Sequence, residues 1–359
     1  MSLPNHGANP HRLYEQLSIK KPMQIIDFSE NVNPAGPPSF IREKWDELFP
    51  LISRYPDPLG QPFLSAVAKF HHVEEEQVLL GNGAAEIFSL LATMFYKKRA
   101  ILIHPTFSEY AATLAANHAE IIHLEVDDIA TWKLPIAQII EEMQQADILY
   151  LCTPNNPTGV LPPKEELLLL IKEAKKANCY LVLDEAFIDW IGEDASMIPS
   201  VKENPHIMIV RSMTKMYAIA GIRLGYMIAA PKVIKNLQQK TSHWHINGLA
   251  AVIGATCLEE NEFRYESIQY AHKSREDFTA FLQQYGCKTT DSVTNYISFQ
   301  LPQPKQSKVF FQAMLEKGFV LRHTENFKGM NGEWFRVGMK DEKAMKSLQK
   351  EMTLWLKQN

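Results

Sequence analysis

The chain has 359 residues, enough for two domains and a large core, and its 46% hydrophobic and 22% charged content is that of an ordinary globular protein. A net charge of −4 without blocks of like charge argues against nucleic acid or an anionic membrane as partner. The longest apolar runs are too short to span a bilayer, and the N-terminus lacks the apolar core of a signal peptide. The four cysteines are scattered without a CxxC pair, which is typical of reduced core thiols. We therefore expect a cytoplasmic protein.

Residues 1–40 are rich in Pro, Asn and Gly and predict an irregular arm with a short strand at 27–29. Beyond a helix at 62–71, apolar runs that alternate with amphipathic stretches predict strands and helices in turn. The predicted strands are 78–80, 100–103, 121–126, 148–152, 180–183 and 207–210. The predicted helices between them are 84–96, 108–117 and one that starts behind Pro162-Pro163. This alternation predicts an α/β domain with a largely parallel sheet.

After Leu249 the alternation stops, and the pattern predicts a long helical region, broken near Asn261, that reaches 285. A second α+β segment follows, with strands at 296–300, 320–322 and 334–337 and a helix at 308–317. We place the domain change near 262. The predicted large domain covers 40–262, and the arm, 1–39, joins 263–359 in a smaller domain.

The stretch 207–226 carries the first candidate functional residue, Lys215, which follows the predicted buried strand after the polar step SMT. Low-dielectric surroundings or a neighbouring cation lower the pKa of an amine and leave part of it neutral. A neutral amine attacks aldehydes and forms Schiff bases. The alternative is an ordinary surface lysine at a strand end.

Three other polar clusters fall at predicted strand ends, where open α/β sheets bind ligands. The glycines around Asn82 precede a helix, and backbone N–H groups there suit an anion. They resemble a dinucleotide-binding motif, but Glu86 at its sixth position argues against one. Asp184 ends an apolar strand and needs a cationic partner when buried, unless it is a helix cap or a surface residue. The amides in NNPTG can reach a ring oxygen, although a plain turn is the alternative.

These groups together match pyridoxal 5′-phosphate. The anion site and Arg223 suit its phosphate, Asp184 its protonated ring nitrogen, Asn156 its phenolic oxygen and Lys215 its aldehyde. The ring of this cofactor acts as an electron sink.

Four motifs, CTPNNPTG, LDEAF, SMTK and GIRLGY, occur in this order, and over essentially its whole length the chain resembles fold-type-I pyridoxal-phosphate enzymes of the aminotransferase class I/II family. The resemblance implies a three-layer αβα large domain with a mostly parallel sheet, plus a smaller α+β domain. It implies that Lys215 is the Schiff-base lysine, Asp184 the partner of the ring nitrogen, Asn156 the partner of the ring hydroxyl, and Tyr110 the residue that stacks on the ring. The phosphate ligands would be Gly83, Ala84, Ser212 and Arg223. Tyr55, in RYPDP, would reach the cofactor phosphate of a second subunit, which implies a homodimer with shared active sites.

Two branches of this family compete. Histidinol-phosphate aminotransferases share YPD and GIRLGY but usually carry Tyr where this chain has Phe187. Threonine-phosphate decarboxylases of cobalamin side-chain synthesis are similar in the His6-Gly7 motif, in DFSxNxNP, in RYPD and in LDEAFID, and we favour this branch. Its substrate would be O-phospho-L-threonine, a small phosphorylated amino acid. By resemblance, the substrate-binding residues are His6, Gly7, Asn31, Asn156, Arg322 and Arg336. Alternatives are a frayed tail for His6 and a structural ion pair for Arg322.

The remaining candidates are weaker. His71-His72 and His243/His245 have no companion Cys or carboxylate cluster in the sequence, so we expect no metal site. Relatives of this family can be fused to DNA-binding modules and act as sensors, but the chain shows no basic patch and no additional helix-turn-helix pattern. We therefore expect an enzyme.

Overall fold

The computed structural model describes residues 3–4 and 6–358. Its strands are β1 (Ile26–Asp27), β2 (Val78–Gly81), β3 (Arg99–His104), β4 (Glu120–Glu125), β5 (Ile148–Cys152), β6 (Tyr180–Asp184), β7 (Ile207–Ser212), β8 (Gly225–Ala229), β9 (Lys288–Thr289), β10 (Tyr296–Gln300), β11 (Phe319–Val320), β12 (Arg322–His323) and β13 (Trp334–Gly338). Its helices are α1 (Pro10–Leu17), α2 (Phe40–Glu43), α3 (Trp45–Leu48), α4 (Phe63–His71), α5 (Ala84–Met94), α6 (Ser108–Ala116), α7 (Ile136–Met143), α8 (Lys164–Ala177), α9 (Pro231–Gln238), α10 (Gly248–Cys257), α11 (Asn261–Gln284), α12 (Ser307–Glu316) and α13 (Glu342–Gln358).

A seven-stranded sheet in the order β2-β8-β7-β6-β5-β3-β4 forms the centre of the larger part. Neighbours from β7 to β4 pair in parallel, whereas β8 is antiparallel to both β2 and β7. The parallel strands are apolar on both faces, as strands covered by helices on each side must be. The prediction of an α/β fold with a mostly parallel sheet is confirmed.

Alternate residues of these strands belong to two separate apolar cores, one on each face of the sheet. On β5, Leu149 and Leu151 pack into one core, while Ile148 and Tyr150 pack into the other. This period of two places adjacent side chains on opposite faces. Helices α4, α7, α8 and α10 contribute to the first core, and α5, α6 and α9 contribute to the second. The result is the predicted three-layer αβα arrangement.

The smaller part is built on an antiparallel sheet in the order β12-β13-β10-β9. Its core joins residues of α11, α12 and α13 with Leu13, Tyr14 and Phe28 of the N-terminal arm. The arm is also tied to this part through β1, which pairs in parallel with β11. The domain limits at residues 40 and 262 stay a prediction.

Some predicted elements are wrong in detail. The strand expected at 320–322 is divided into β11 and β12, which lie in different sheets on either side of the buried Leu321. The arm, expected to be irregular, contains α1, which has a proline in its first turn, where proline needs no N–H partner. The strand expected at 27–29 lies instead at Ile26–Asp27. Ser29 is therefore outside the strand, and its carbonyl can bond to other partners. The sequence interpretation also omitted α7, β8 and α9.

In the part of the chain that the structure describes, no helix is both long and apolar enough to cross a membrane. Nor do three His, Cys, Asp or Glu side chains in that part cluster closely enough to hold a metal ion.

Arg211 joins the C-terminal ends of β6 and β7 through a buried ion-pair network. It lies on β7 with 1% of its surface exposed. It contacts Glu185 at 3.2 Å, Asp189 at 2.8 Å and Glu193 at 2.6 Å. Glu185 also accepts hydrogen bonds from the Ser196 hydroxyl and the Met197 N–H. Because a buried charge must be paired, this network fixes the strand ends that carry Asp184 and precede Lys215.

Replacing Arg211 with Met should lower the free energy of unfolding by about 3–5 kcal/mol, because it leaves buried carboxylates without their cation. Lys98, whose pair with Asp147 at 3.2 Å is largely exposed, gives the matched control. Lys98→Met should change stability by less than about 1 kcal/mol. Denaturant unfolding of both variants checks this, and equal small losses would contradict the assigned role of Arg211.

Candidate active site

A cavity of about 500 Å³ opens at the C-terminal ends of the parallel strands. Its floor comes from the ends of β5, β6 and β7, and its side from the first turns of α5 and α6. The N-terminal arm and the paired strands β12 and β13 close the opposite wall. The cavity thus lies between the larger and smaller parts, where open α/β sheets bind ligands.

Lys215 borders this cavity three residues after the end of β7. Burial lowers its pKa to about 8, and the neighbouring Arg223 and Arg336 act in the same direction. Asp184 and Glu30 oppose the shift without cancelling it. A substantial fraction of the amine is therefore neutral near neutral pH and able to react with an aldehyde.

Asp184 is the last residue of β6, and its carboxylate is buried at the cavity floor. One oxygen, Oδ1, accepts the Ala186 N–H at 3.0 Å. The other, Oδ2, accepts a short hydrogen bond from the Tyr110 hydroxyl. Burial raises the pKa of Asp184 to about 6, while the bonds from Tyr110 and Ala186 and the charge of Lys215 lower it. A buried carboxylate that faces a cavity suits a cationic partner, such as a protonated ring nitrogen.

The start of α5 forms an anion cradle. Gly83 caps the helix with φ +79°, and a Cβ there would lie 2.4 Å from the Arg223 guanidinium. A Cβ on Gly225 would lie 2.8 Å from the Ala84 nitrogen. Both glycines are therefore required for the close approach of backbone and Arg223 at this helix N-terminus. Ala84 and Ser212 border the cavity beside it, which is the arrangement that a phosphate needs.

Arg336 and Arg322 form a buried pair of like charges, since they lie directly opposite each other on β13 and β12. Arg336 donates to Asn156 Oδ1 and, at 2.7 Å, to the Ser29 carbonyl, and its guanidinium stands 5.3 Å from the Tyr296 ring centre. Arg322 donates to the His323 carbonyl and to a side-chain oxygen in the following loop, each at 2.7 Å. Burial lowers the pKa of Arg336 to about 10. Burial and the charge of Arg336 lower that of Arg322 to about 9.

Two polar atoms in this wall are buried without a hydrogen-bond partner among the described residues, Nε of Arg336 and Oδ1 of Asn31. Buried polar atoms are normally satisfied, so these two indicate a place for a polar ligand. Asn31 and both arginines border the cavity.

The N-terminal arm folds over the cavity, and His6 and Gly7 border it. The imidazole of His6 lies 2.9 Å from the Glu109 carboxylate of α6. A Cβ on Gly7 would lie 2.5 Å from the Ser29 carbonyl, so only glycine fits there. The structure thus places His6 in a defined contact, in contrast to the alternative of a frayed tail. The substrate-binding roles of these residues stay predictions.

Three predicted cofactor residues do not border the cavity: Gly83, which lies against Arg223 in the anion cradle, Tyr110 and Tyr55. Tyr110 is fully buried and donates a hydrogen bond to Asp184, and its predicted stacking on a bound ring stays a prediction. The aromatic ring that borders the cavity is Phe107, just before α6. Tyr55 is 85% exposed beside Trp244, at 5.2 Å, and its role towards a second subunit stays a prediction.

Sequence reasoning missed several residues that border the cavity, among them Phe107, Thr214 and Glu30. The sequence contains a signal for Phe107, because this aromatic residue comes shortly after a predicted strand and after Pro105, a turn residue. Glu30 pairs with Lys340 at 2.9 Å and adds a carboxylate to a wall otherwise rich in cations.

The sequence model of the family described as aminotransferase class I and II matches residues 23–350. The chain belongs to this family. Family members, threonine-phosphate decarboxylases included, depend on pyridoxal 5′-phosphate, and so does this chain. The residues present fit the cofactor: a reactive amine, a buried carboxylate and, at the cradle, Ala84, Ser212 and Arg223 border one cavity.

Three members of this family or structural neighbours illustrate what the chain is similar to. The threonine-phosphate decarboxylase of Salmonella typhimurium is 31% identical over 97% of this chain and 96% of its own length. The histidinol-phosphate aminotransferase of Clostridium acetobutylicum has a TM-score of 0.87 at 25% identity, with 92% and 99% of the two chains covered. The histidinol-phosphate aminotransferase of Sinorhizobium meliloti, solved with pyridoxal 5′-phosphate, has a TM-score of 0.84 at 18% identity, with 97% and 95% covered.

The lowered pKa of Lys215 predicts how its amine reacts in the cofactor-free protein. The ammonium form is unreactive, so reaction with an amine reagent should rise with pH and reach half its maximum near pH 8. A freely exposed lysine reaches that point at about pH 10.4. Peptide mapping by mass spectrometry after trinitrophenylation measures the profile. Arg223→Gln should move the midpoint upwards, and a parent midpoint near that of exposed lysines would contradict the prediction.

Proposed function

We propose that this enzyme decarboxylates O-phospho-L-threonine to (R)-1-aminopropan-2-yl phosphate, for cobalamin side-chain synthesis. The observation that carries the proposal is the cross-strand pair of buried guanidinium groups, Arg322 and Arg336, on one wall of the cavity.

Like charges placed directly opposite each other on a sheet destabilise it, and burial increases the cost. A ligand with two anionic groups offsets part of that cost, because one group can pair with each guanidinium. O-phospho-L-threonine has two such groups, a carboxylate and a phosphate. Forked guanidinium donors match both.

The contacts of the two arginines suggest which group each receives. Arg336 is bonded to Asn156, and its Nε is a buried donor without a partner in the described chain, which suits a carboxylate near the cofactor ring. Arg322 stands on the side of the cavity that His6, Gly7 and Asn31 of the arm also line, which suits the phosphate.

The chain's own groups then have distinct tasks. The bound cofactor supplies a ring that accepts the electron pair released at the substrate. The Asp184 carboxylate holds a positive charge at the ring nitrogen. Arg336 orients the carboxylate whose bond to Cα breaks, so that carbon dioxide leaves and the electron pair stays behind. Lys215 Nζ would then give a proton to Cα.

The relatives support the same choice. The threonine-phosphate decarboxylase of Salmonella typhimurium is similar over nearly the full length of both chains. Phe187, which borders the cavity, lacks the hydroxyl that the resemblance assigns to most histidinol-phosphate aminotransferases.

A histidinol-phosphate aminotransferase is the second candidate. The same pair of arginines would accept an amino donor with two carboxylates, and the Clostridium acetobutylicum enzyme has a closely similar fold. The two candidates differ in whether the carboxylate of the substrate is lost or retained.

Incubation of the holoenzyme with O-phospho-L-threonine alone should release carbon dioxide and 1-aminopropan-2-yl phosphate in equal amounts. No 2-oxo acid should be needed, because decarboxylation returns the cofactor to its starting form. Gas capture and mass spectrometry of the product measure the reaction, with Lys215→Ala as the inactive control. Turnover that requires 2-oxoglutarate and forms glutamate would instead establish the aminotransferase.

We also propose that the enzyme is a homodimer with shared active sites. The surface around Tyr55 exposes several large apolar side chains, including Phe49, Ile52, Leu59 and Trp244. An apolar patch of this kind is typical of an interaction surface. The resemblance of the RYPDP segment supports a second copy of the chain as its occupant.

In solution the protein should therefore have the mass of two chains by light scattering. Ile52→Glu should reduce this to one chain, because it buries a charge in the interface. Leu168→Glu, an exposed leucine on α8, is the control and should leave the dimer intact. A single-chain mass for the parent at micromolar concentration would contradict the proposal.

A further inference from the structure

We propose that Tyr110 is a positioning residue for Asp184: its hydroxyl fixes one carboxylate oxygen and keeps the carboxylate charged for the cofactor. Tyr110 touches neither the cavity nor a substrate in this arrangement and acts only through Asp184. The inference rests on the cofactor that the family uses and holds equally for a decarboxylase and an aminotransferase.

The geometry supports this role. The Tyr110 hydroxyl donates to Oδ2 of Asp184, and the Ala186 N–H donates to Oδ1 at 3.0 Å. Each carboxylate oxygen therefore has one protein donor, and the plane of the group is set by two separate elements, α6 and the turn after β6. Such a carboxylate cannot rotate freely when the cofactor enters or leaves.

The ring of Tyr110 is itself held in place. It is completely buried, with ring centroids at 4.9 Å from Phe88 and 5.6 Å from Phe107, both edge-on, and at 5.3 Å from Tyr150. Side chains in packed interiors occupy defined rotamers, so the hydroxyl has one place to point. The position of the donor is fixed by packing that does not involve the cofactor.

The charge of Asp184 depends on the groups that face it, which are Tyr110, Cys152, Tyr296 and Lys215. Burial raises the pKa of Asp184, and the Tyr110 hydrogen bond and the Lys215 charge lower it. Without the hydroxyl, the carboxyl group would keep its proton to higher pH. A protonated carboxyl cannot hold a positively charged ring nitrogen, so the cofactor would bind more weakly, most of all in acid.

Tyr150 offers a matched control within the same cluster. It is also fully buried, on β5, and its hydroxyl has no hydrogen-bond partner among the described residues. Tyr150→Phe and Tyr110→Phe remove the same atom from neighbouring rings. Only the second removes a hydrogen bond to Asp184.

The test measures the equilibrium release of pyridoxal 5′-phosphate from each holoenzyme by absorbance, from mildly acidic to alkaline pH. A hydrogen bond to a charged group contributes about 1.5–3 kcal/mol, so Tyr110→Phe should weaken cofactor affinity about tenfold or more at neutral pH. Its loss of affinity on acidification should also begin at a higher pH than in the parent. Tyr150→Phe should behave like the parent in both respects.

A double-mutant cycle with Asp184→Asn tests whether Tyr110 acts through the carboxylate. In the Asp184→Asn background, Tyr110→Phe should cause no further loss of cofactor affinity. Equal affinities for Tyr110→Phe and Tyr150→Phe would overturn the proposal, as would an undiminished effect of Tyr110→Phe in the Asp184→Asn background.

Thermal unfolding of the cofactor-free variants separates a binding effect from a folding defect. Should Tyr110→Phe not fold, Tyr110→His retains a ring N–H donor beside Asp184 and takes its place. Affinity close to that of the parent would then support the role, and affinity as weak as that of Asp184→Asn would overturn it. No substrate enters these measurements, so their outcome is independent of the carbon dioxide assay.

Discussion

The structure depends on how β6 ends, because its last residue, Asp184, and the residue that follows it, Glu185, face opposite sides of the sheet. Asp184 faces the cavity and Glu185 faces the opposite core, because side chains alternate along a strand. Glu185 is held by Arg211, whose network joins the ends of β6 and β7. Asp184 is held by Tyr110 and the Ala186 N–H. The network on one face thus fixes the backbone from which the functional carboxylate on the other face projects.

The surroundings of the cavity disfavour the charged forms of the cations that border it. Lys215, Arg322 and Arg336 all have lowered pKa values, which burial causes first and which neighbouring cations reinforce in each case except that of Arg336. The carboxylates of Asp184 and Glu30 oppose the shift at Lys215, and that of Asp27 opposes it at Arg336, each only in part. Two useful properties follow from the same cause. The lysine amine is partly neutral and can react. In addition, an anionic ligand stabilises the buried cations when it binds.

Much of the fold and of the cofactor site could be predicted from the sequence, because buried strands are apolar runs and the polar residues at their ends stand out. Lys215, Asp184 and Arg223 were predicted in this way, and the structure brings all three to one cavity. That Phe107 borders the cavity and Tyr110 does not could not be predicted, because both lie at the start of α6 and only packing decides which ring faces the cavity. The division of 320–322 into β11 and β12 was equally hidden, since the break depends on partners far away in the chain.

The site divides its tasks between the two parts of the molecule. The groups that suit the cofactor, Lys215 and Asp184, belong to the larger part, at the C-terminal ends of its strands. The groups that suit the substrate come from β12, β13 and the arm. Arg336 connects these parts, because it bonds both Asn156, after β5, and the Ser29 carbonyl of the arm. The arm and the smaller sheet are therefore joined to the cofactor side of the cavity through one side chain. Because the same pair of arginines suits the substrates of both candidate reactions, and Lys215 is needed by both, the proposed distinction depends on whether the substrate carboxylate is lost or retained and on Phe187 at the cavity wall.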